Sequence, residues 1–327
     1  MTILDVARAA GVSKSTVSRV LDERLPRSTN ATAERVRQVA AALGYVRDPL
    51  ASGLRRAGTS TVGVIVPRLT DTVMAMLYEE IAAASGSRGL FAIVATTEDK
   101  PEAERLAVES LLRRRVDGLI LTTARLDMPR EHQGLAPHVL ALRTDGVSSA
   151  SVGDDCLGAH LATRHLVDLG HRRIGLVGGP VYASSARNRQ AGYLTALAEA
   201  GLPVDESLVA GDAFSIEAGE NAGRALLERT DRPTAIFAVN DNTAIGVMAA
   251  AHSLGLRIPA DLSLVGYNDI PVVSRLPVPL TTVRVPFRQI ATGALELLLD
   301  ADRNQPPRTL VATPTLIPRR STAAAPT

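Results

Sequence analysis

From Thr61 onward, short aliphatic runs alternate with longer amphipathic stretches, and the alternation restarts halfway along the body of the chain. Val62-Gly63-Val64-Ile65-Val66 is apolar on both faces, which marks a fully buried strand. An amphipathic stretch from about Thr72 to Arg88 follows, then a strand from Phe91 to Ala95 and a helix from Pro101 to Arg115. Gly118 to Leu121 and Val139 to Leu142 are further strands, and Asp155 to Leu169 is helical. The series begins again with strands at Ile174–Val177, Ala235–Val239 and Ser263–Tyr267, separated by helices at about Ala186–Ala200 and Asn242–Leu254. Buried strands separated by helices need crossover connections, and crossovers produce parallel, doubly wound sheets covered on both faces. The restart predicts two similar lobes, joined near 159–161 and crossed again near 285 and 315. In such folds ligands bind at the carboxyl ends of the strands, here in the cleft between the lobes. The core is aliphatic, since aromatics make up 3% of the chain and Trp is absent.

The stretch before Thr61 follows a different pattern. It holds ten Arg/Lys against five Asp/Glu, a net +5 that leaves −3 for the rest of a chain whose total is +2. A small basic head on a slightly acidic body points to a polyanionic partner for the head. Thr2-Ile3-Leu4-Asp5 has the form of a capping box, after which Leu4 (or Ile3), Val6, Ala7 and Ala10 share one helical face. Gly11 ends that helix, and Ser13 is placed to cap a second, from Lys14 to about Asp22, which buries Val17, Val20 and Leu21. Thr29 or Asn30 caps a third, with Val36, Val39, Ala40 and Leu43 spaced for burial and Gly44 as its stop. Two short helices joined by a tight glycine turn, with a third as support, form a helix-turn-helix. With its apolar positions turned inward, the second helix presents Lys14, Ser15, Ser18 and Arg19, side chains able to reach base edges and phosphates. Asp48-Pro49 reads as the start of a short hinge helix over Leu50 to Arg56. Such a helix is too short to stand alone in water and is suited to forming where Leu54 wedges into a DNA groove.

Thr2-Ile3-Leu4-Asp5-Val6-Ala7, Ala10-Gly11-Val12-Ser13, Thr16-Val17-Ser18-Arg19-Val20-Leu21, Gly44-Tyr45 and Asp48-Pro49-Leu50-Ala51 together resemble the N-terminal signature of the LacI/GalR (lactose-repressor) family. The resemblance extends to about Arg320. It implies a repressor that binds double-stranded, palindromic operator DNA as a homodimer. Lys14, Ser15 and Arg19 would then read bases in the major groove, within a DNA-contacting set of Lys14, Ser15, Thr16, Ser18, Arg19, Ala51, Leu54 and Arg55, with Leu54 wedged into the minor groove. The chain departs from the family at Ala51-Ser52-Gly53-Leu54, where Ala-Arg-Ser-Leu is usual, and at Arg47, where Pro is frequent. The expected organisation is an all-α helix-turn-helix domain over 1–46, a hinge over 47–60, and a two-lobed periplasmic-binding-protein-like domain of doubly wound parallel sheets over 61–327.

For the body, the resemblance implies a small-molecule effector, a sugar or related metabolite, in the interlobe cleft. Arg189 stands where the family grips its effector, Phe214 where it stacks an aromatic, and Asn240 matches a further contact. Val73 and Met74 occupy positions often held by an aromatic pair, and Asn268 stands where many members have Asp. These last departures from the family argue for an effector that is less stacked, less rich in hydroxyls, or anionic.

Other chemistries find no support in the sequence. There is no Gly-x-x-x-x-Gly-Lys-Ser/Thr loop, Lys14 and Lys100 being the only lysines, and no Gly-x-Ser-x-Gly elbow. His160 and His165 are five apart and do not share a helix face, so no metal site is expected. Asp154-Asp155 before a helix reads as a cap. No cofactor and no enzymatic activity are expected. The longest apolar run, Ala244 to Ala251, is far shorter than a membrane span. The charged first 25 residues and the single Cys156 suit a cytoplasmic protein. The competing reading is a solute-binding or metabolic α/β protein whose head has some other use.

Overall fold

A computed structural model describes residues 2–21, 28–45, 59–128, 136–300 and 306–326. The chain divides into two compact units, Met1–Thr59 and Ser60–Thr327.

In the first unit, α1 (Ile3–Ala10), α2 (Lys14–Val20) and α3 (Ala31–Ala42) surround a small aliphatic core of Val6, Ala7, Ala10, Val17, Val36 and Ala40. Asp5 accepts hydrogen bonds from the Thr2 amide (2.8 Å) and hydroxyl (2.9 Å), which fixes the start of α1. Gly11 ends it at φ 61°, a left-handed conformation that glycine adopts without steric cost. Ser13 Oγ accepts the Thr16 amide at 3.1 Å and so opens α2. Asn30, rather than Thr29, caps α3 through the Ala33 amide at 2.8 Å. Ile3 turns toward the core while Leu4 remains 54% exposed. α2 stops at Val20, two residues before the sequence reading placed its end, and Val20 and Leu21 are half-buried.

The second unit contains two six-stranded sheets. The first is built from β1 (Thr61–Val66), β2 (Phe91–Thr96), β3 (Gly118–Leu121), β4 (His138–Ala141), β5 (Ala150–Gly153) and β11 (Thr309–Ala312), in the order β11-β5-β4-β3-β1-β2, all parallel. α4 (Thr72–Ser87) and α10 (Phe287–Leu299) cover one face of it, and α5 (Pro101–Arg113) packs on the other. β1 shows why its residues are apolar throughout: Val62, Val64 and Val66 enter one core layer and Ile65 the other.

The second sheet is formed by β6 (Ile174–Val177), β7 (Val209–Ala210), β8 (Ala235–Ala238), β9 (Ser263–Asn268), β10 (Thr281–Arg284) and β12 (Thr315–Ile317), ordered β12-β10-β9-β8-β6-β7. Its helices are α6 (Asp155–Asp168), α7 (Ser184–Glu199), α8 (Ile216–Leu227) and α9 (Asp241–Ser253). β12 runs antiparallel to β10, an edge exception to the parallel pairing expected throughout. The first crossing between lobes lies at Asp154, not at 159–161: β5 belongs to the first sheet, whereas α6 packs on α7 in the second lobe. The reason is local, since Asp154 accepts the Leu157 amide at 2.9 Å and starts an unbroken helix through the expected crossing. The chain returns between β10 and α10, near 285, and crosses a third time between β11 and β12, close to 315.

Candidate recognition helix and effector cleft

α2 carries a run of polar residues along its length. Lys14, Ser15 and Arg19 are exposed, and Thr16 and Ser18 are half-buried. Ser13 Oγ lies 2.8 Å from both the Ser15 and the Thr16 hydroxyls. Those two hydroxyls are therefore engaged at the cap, leaving Lys14 in the first turn and Arg19 in the last as the long cationic arms of this helix. Ala51, Leu54 and Arg55 lie outside the described residues.

In the body, a cavity of about 570 Å³ opens between the lobes. Every segment lining it leaves the carboxyl end of a strand or enters the helix that follows. Asp71 comes after β1, Asp99 after β2, Arg143 after β4, Tyr182 after β6, Phe214 after β7, and Asn242 lies in the first turn of α9. Arg143 is buried and its Nη1 donates to both oxygens of Asp99 at 3.1 Å. Asp99 Oδ2 also accepts from the Tyr182 hydroxyl at 3.1 Å, across the cleft. The guanidinium of Arg125 sits 3.5 Å from the centre of the Tyr182 ring, and that of Arg143 lies 5.4 Å from the centre of the Phe214 ring. Both are cation–π contacts between lobes. Two backbone amides reinforce them: Leu126 donates to the Tyr182 carbonyl at 2.9 Å, and Thr144 to Ser184 Oγ at 2.8 Å. Asp71 joins the lobes at another point, where its Oδ1 accepts from Asn242 Nδ2 at 3.3 Å. Burial pushes the Asp71 carboxyl above its ordinary range, against the opposing pull of the Val73 amide and Asn242.

Of the six residues that the resemblance assigned to the ligand, Phe214 alone lines this cavity. Val73 and Met74 are buried in the core of the first lobe, where the apolar face of α4 requires them. Arg189 is 5% exposed and fully engaged: its Nε and Nη2 lie 2.8 Å from Asp155 Oδ1, and its Nη1 donates to the Val239 carbonyl at 2.8 Å. It lies over the Tyr267 ring at 3.8 Å. A buried guanidinium needs a counter-charge, and Asp155 supplies it. Arg189 thus ties the start of α6, beside the first lobe crossing, to the end of β8. Asn240 is the buried cap of α9: it accepts the Thr243 amide at 2.8 Å and donates to the Phe214 carbonyl at 3.0 Å, so it positions Phe214. Asn268 is buried at the end of β9 with φ 105°.

Asp71, Asp99, Arg143, Tyr182 and Asn242 were not foreseen. Asp71 carried a signal, an Asp directly before an amphipathic run, and Asn242 follows the Asn240-Asp241 pair at a strand end. Asp99 (φ 59°) and Leu142 (φ 64°), which precedes Arg143, have left-handed backbones at non-glycine positions, and sequence pattern does not announce these.

A helix-turn-helix unit and a two-lobed body with a polar interlobe cleft, carried on one chain, define a one-component regulator built on a solute-binding scaffold. Residues 2–48 match bacterial regulatory proteins of the lacI family, and residues 163–322 match the periplasmic binding protein-like domain. The ribose operon repressor of Escherichia coli (strain K12) is 34% identical over 305 residues, covering 91% of this chain and 92% of the relative. The chain belongs to the lacI family. Among solved structures, the Lac repressor dimer bound to operator and the anti-inducer ONPF superposes with a TM-score of 0.86 at 29% identity, covering 99% of each chain. The complex of the transcriptional regulator CelR with cellobiose gives 0.75 at 29% identity, covering 98% of this chain and 99% of the other. Among the described residues, no helix is long and apolar enough to cross a membrane.

Proposed function

We propose that this chain is a transcriptional repressor that binds a palindromic operator as a homodimer and is controlled by a small-molecule effector in the interlobe cleft. The observation that carries the reading is the solvent side of α2, where Lys14 in its first turn and Arg19 in its last stand exposed on a helix that packs Val17 into the head's core. Arg19 and Lys14 read bases or phosphates, Ser15 and Ser18 flank them, and Thr16 acts through the cap. The hinge residues Ala51, Leu54 and Arg55 complete the DNA-contacting set. In the cleft, Asp71, Asp99, Arg143 and Asn242 supply polar contacts and Phe214 an aromatic face, with Asn240, Asn268 and Arg189 supporting the walls. Cellobiose in one structural relative and the ribose operon of a sequence relative support a sugar or related metabolite as the effector class. The protein is cytoplasmic and non-catalytic on this reading, which the repressor relatives support.

An electrophoretic mobility shift with the protein's own upstream region tests the proposal. Specific retardation is expected, and Arg19→Ala weakens it by about 1–3 kcal/mol, the scale of one good base contact. Unchanged affinity and sequence preference in Arg19→Ala would remove α2 as the reader.

A further inference from the structure

We infer that a recess at the β11 edge of the first lobe is a second small-molecule site, that it takes a compact hydroxyl-bearing anion, a phosphate ester or a carboxylate, and that it acts on the crossings between the lobes. The recess shares no lining residue with the effector cleft, and the inference goes beyond the function proposed for that cleft.

The recess encloses about 400 Å³ between α10 and the strands β5 and β11. That is small for a ligand pocket, whose usual range is about 300–1,000 Å³, and it suits a metabolite of a few carbons. Ser151 of β5 lines it at 2% exposure. Buried hydroxyls ordinarily have a hydrogen-bond partner, yet the Ser151 hydroxyl has none among the described residues. It faces Gly293 of α10, where a Cβ would lie 2.8 Å from Ser151 Oγ and 3.1 Å from Leu310 Cδ1. Glycine is unfavourable inside a helix, and here it keeps the helix from closing over the hydroxyl. Leu310 and the exposed Val311 give the recess an apolar wall.

Charge decides what the hydroxyl is offered to. Arg288 and Glu296 line the recess, and Glu296 is already paired with Arg88 at 3.1 Å. Arg288 is exposed in the first turn of α10 and makes no ion pair among the described residues. Two guanidinium groups therefore stand against one carboxylate, and a ligand cation is disfavoured. The free guanidinium fork matches a phosphate or carboxylate, and the hydroxyl of Ser151 both donates and accepts. A neutral polyol would use the second group and leave the first idle.

Each element around the recess also carries the chain between the lobes. Ser151 lies just before the first crossing at Asp154, Arg288 just after the second near 285, and Leu310 to Ala312 end the strand from which the third departs. The Asp154 amide donates to the Ala312 carbonyl at 2.9 Å, so the first and third crossings are already joined. An anion spanning Arg288 and Ser151 ties the second crossing to them. A ligand shifts a conformational equilibrium through its preference for one state, and rotation of the lobes supplies that preference when it alters the spacing of these two residues.

The test titrates full-length protein calorimetrically with glycerol 3-phosphate, D-glycerate and 3-phospho-D-glycerate, with glycerol as the neutral counterpart. At least one anion is expected to bind, with glycerol at least about tenfold weaker. Arg288→Gln, a surface change expected to keep the wild-type thermal midpoint, weakens that anion about tenfold or more. Ser151→Ala weakens it roughly three- to tenfold, and Phe214→Ala in the cleft leaves it unchanged. The bound anion is also expected to slow hydrogen exchange across 150–154 and 309–312, and to change it at Leu126 and Thr144, whose amides bridge the lobes. A panel in which no anion binds, glycerol binding as tightly as the anions, or an affinity unaltered by Arg288→Gln overturns the site. A loss in Phe214→Ala equal to that in Arg288→Gln assigns the anion to the cleft and overturns it as well. Exchange at Leu126 and Thr144 that stays constant with the anion bound overturns the action on the crossings.

Discussion

Asp241 occupies the first turn of α9 yet is fully buried, with its Oδ1 accepting the Thr282 hydroxyl at 2.6 Å and its Oδ2 accepting the Ile270 amide at 2.8 Å. Those two bonds do not offset the loss of water. Desolvation, with a smaller push from Asp269, raises its carboxyl to about 7. The native state therefore holds a proton on Asp241 between the ordinary value of 3.8 and about 7, where the unfolded chain has lost it. Stability from this group is present below about pH 4, declines as pH rises toward 7, and is flat above that. Carboxylates held low by partners, such as Asp261 at about 2, act with the opposite sign at lower pH. The clean measurement is thus the difference between wild type and Asp241→Asn in thermal midpoint at pH 5 and pH 7.5. The wild type is expected to lose more between the two pH values, and parallel losses would show that Asp241 is ionised in the fold. Local residues of this kind were only partly legible. The caps at Thr2 and Ser13 and the turn at Gly11 follow from near neighbours in sequence and were foreseen. The partner of Arg189 lies 34 residues away, and only the packed fold brings the two together.

Among the elements, α8 and α9 cross so closely that glycine is required at the contact. A Cβ on Gly246 would lie 2.1 Å from the Ile216 carbonyl oxygen, and one on Gly219 2.3 Å from that of Thr243. Alanine inside a helix ordinarily gains about 1 kcal/mol over glycine. Here the contact is with backbone, which cannot turn aside, so Gly246→Ala is expected to destabilise by roughly 1–3 kcal/mol or more. Denaturant unfolding measures it, and a neutral or stabilising result would mean the helices sit farther apart than described. The displaced α9 would also carry Asn242 away from Asp71. The long periodic helices α4, α5, α6, α7 and α9 were read in the sequence to within a few residues. α8, α10 and the short strands β5, β7, β10, β11 and β12 were not. β7 has two residues and β11 is exposed at alternate positions, so neither shows a strong apolar rhythm, whereas α8 has a helical rhythm in which two of the buried positions are glycines, Gly219 and Gly223, and carry no apolar side chain to mark them. Their place is set by what they cover rather than by their own composition.

For the whole body, the lobes are held against each other by Arg125 on Tyr182, Tyr182 on Asp99, and the amides of Leu126 and Thr144. Arg125 lies outside the cavity lining, so Arg125→Ala probes closure without touching the ligand contacts. Loss of a cation–π pair worth about 1–2 kcal/mol should speed hydrogen exchange at Leu126 and Thr144 roughly tenfold, with the amides inside α4 unchanged. Equal rates in the variant would show that Arg125 does not hold the cleft, and acceleration throughout α4 would indicate general loosening instead. The three crossings between lobes also set an order of assembly. The first lobe begins at Thr61 but lacks α10 and β11 until residues 287–312 have been made, whereas the three helices α1, α2 and α3 of the head all lie within the first 42 residues. At typical synthesis rates of about 5–20 residues per second, the nascent chain carries the three head helices for some tens of seconds before its first lobe can close. Control by the body is therefore the last property that each new molecule acquires.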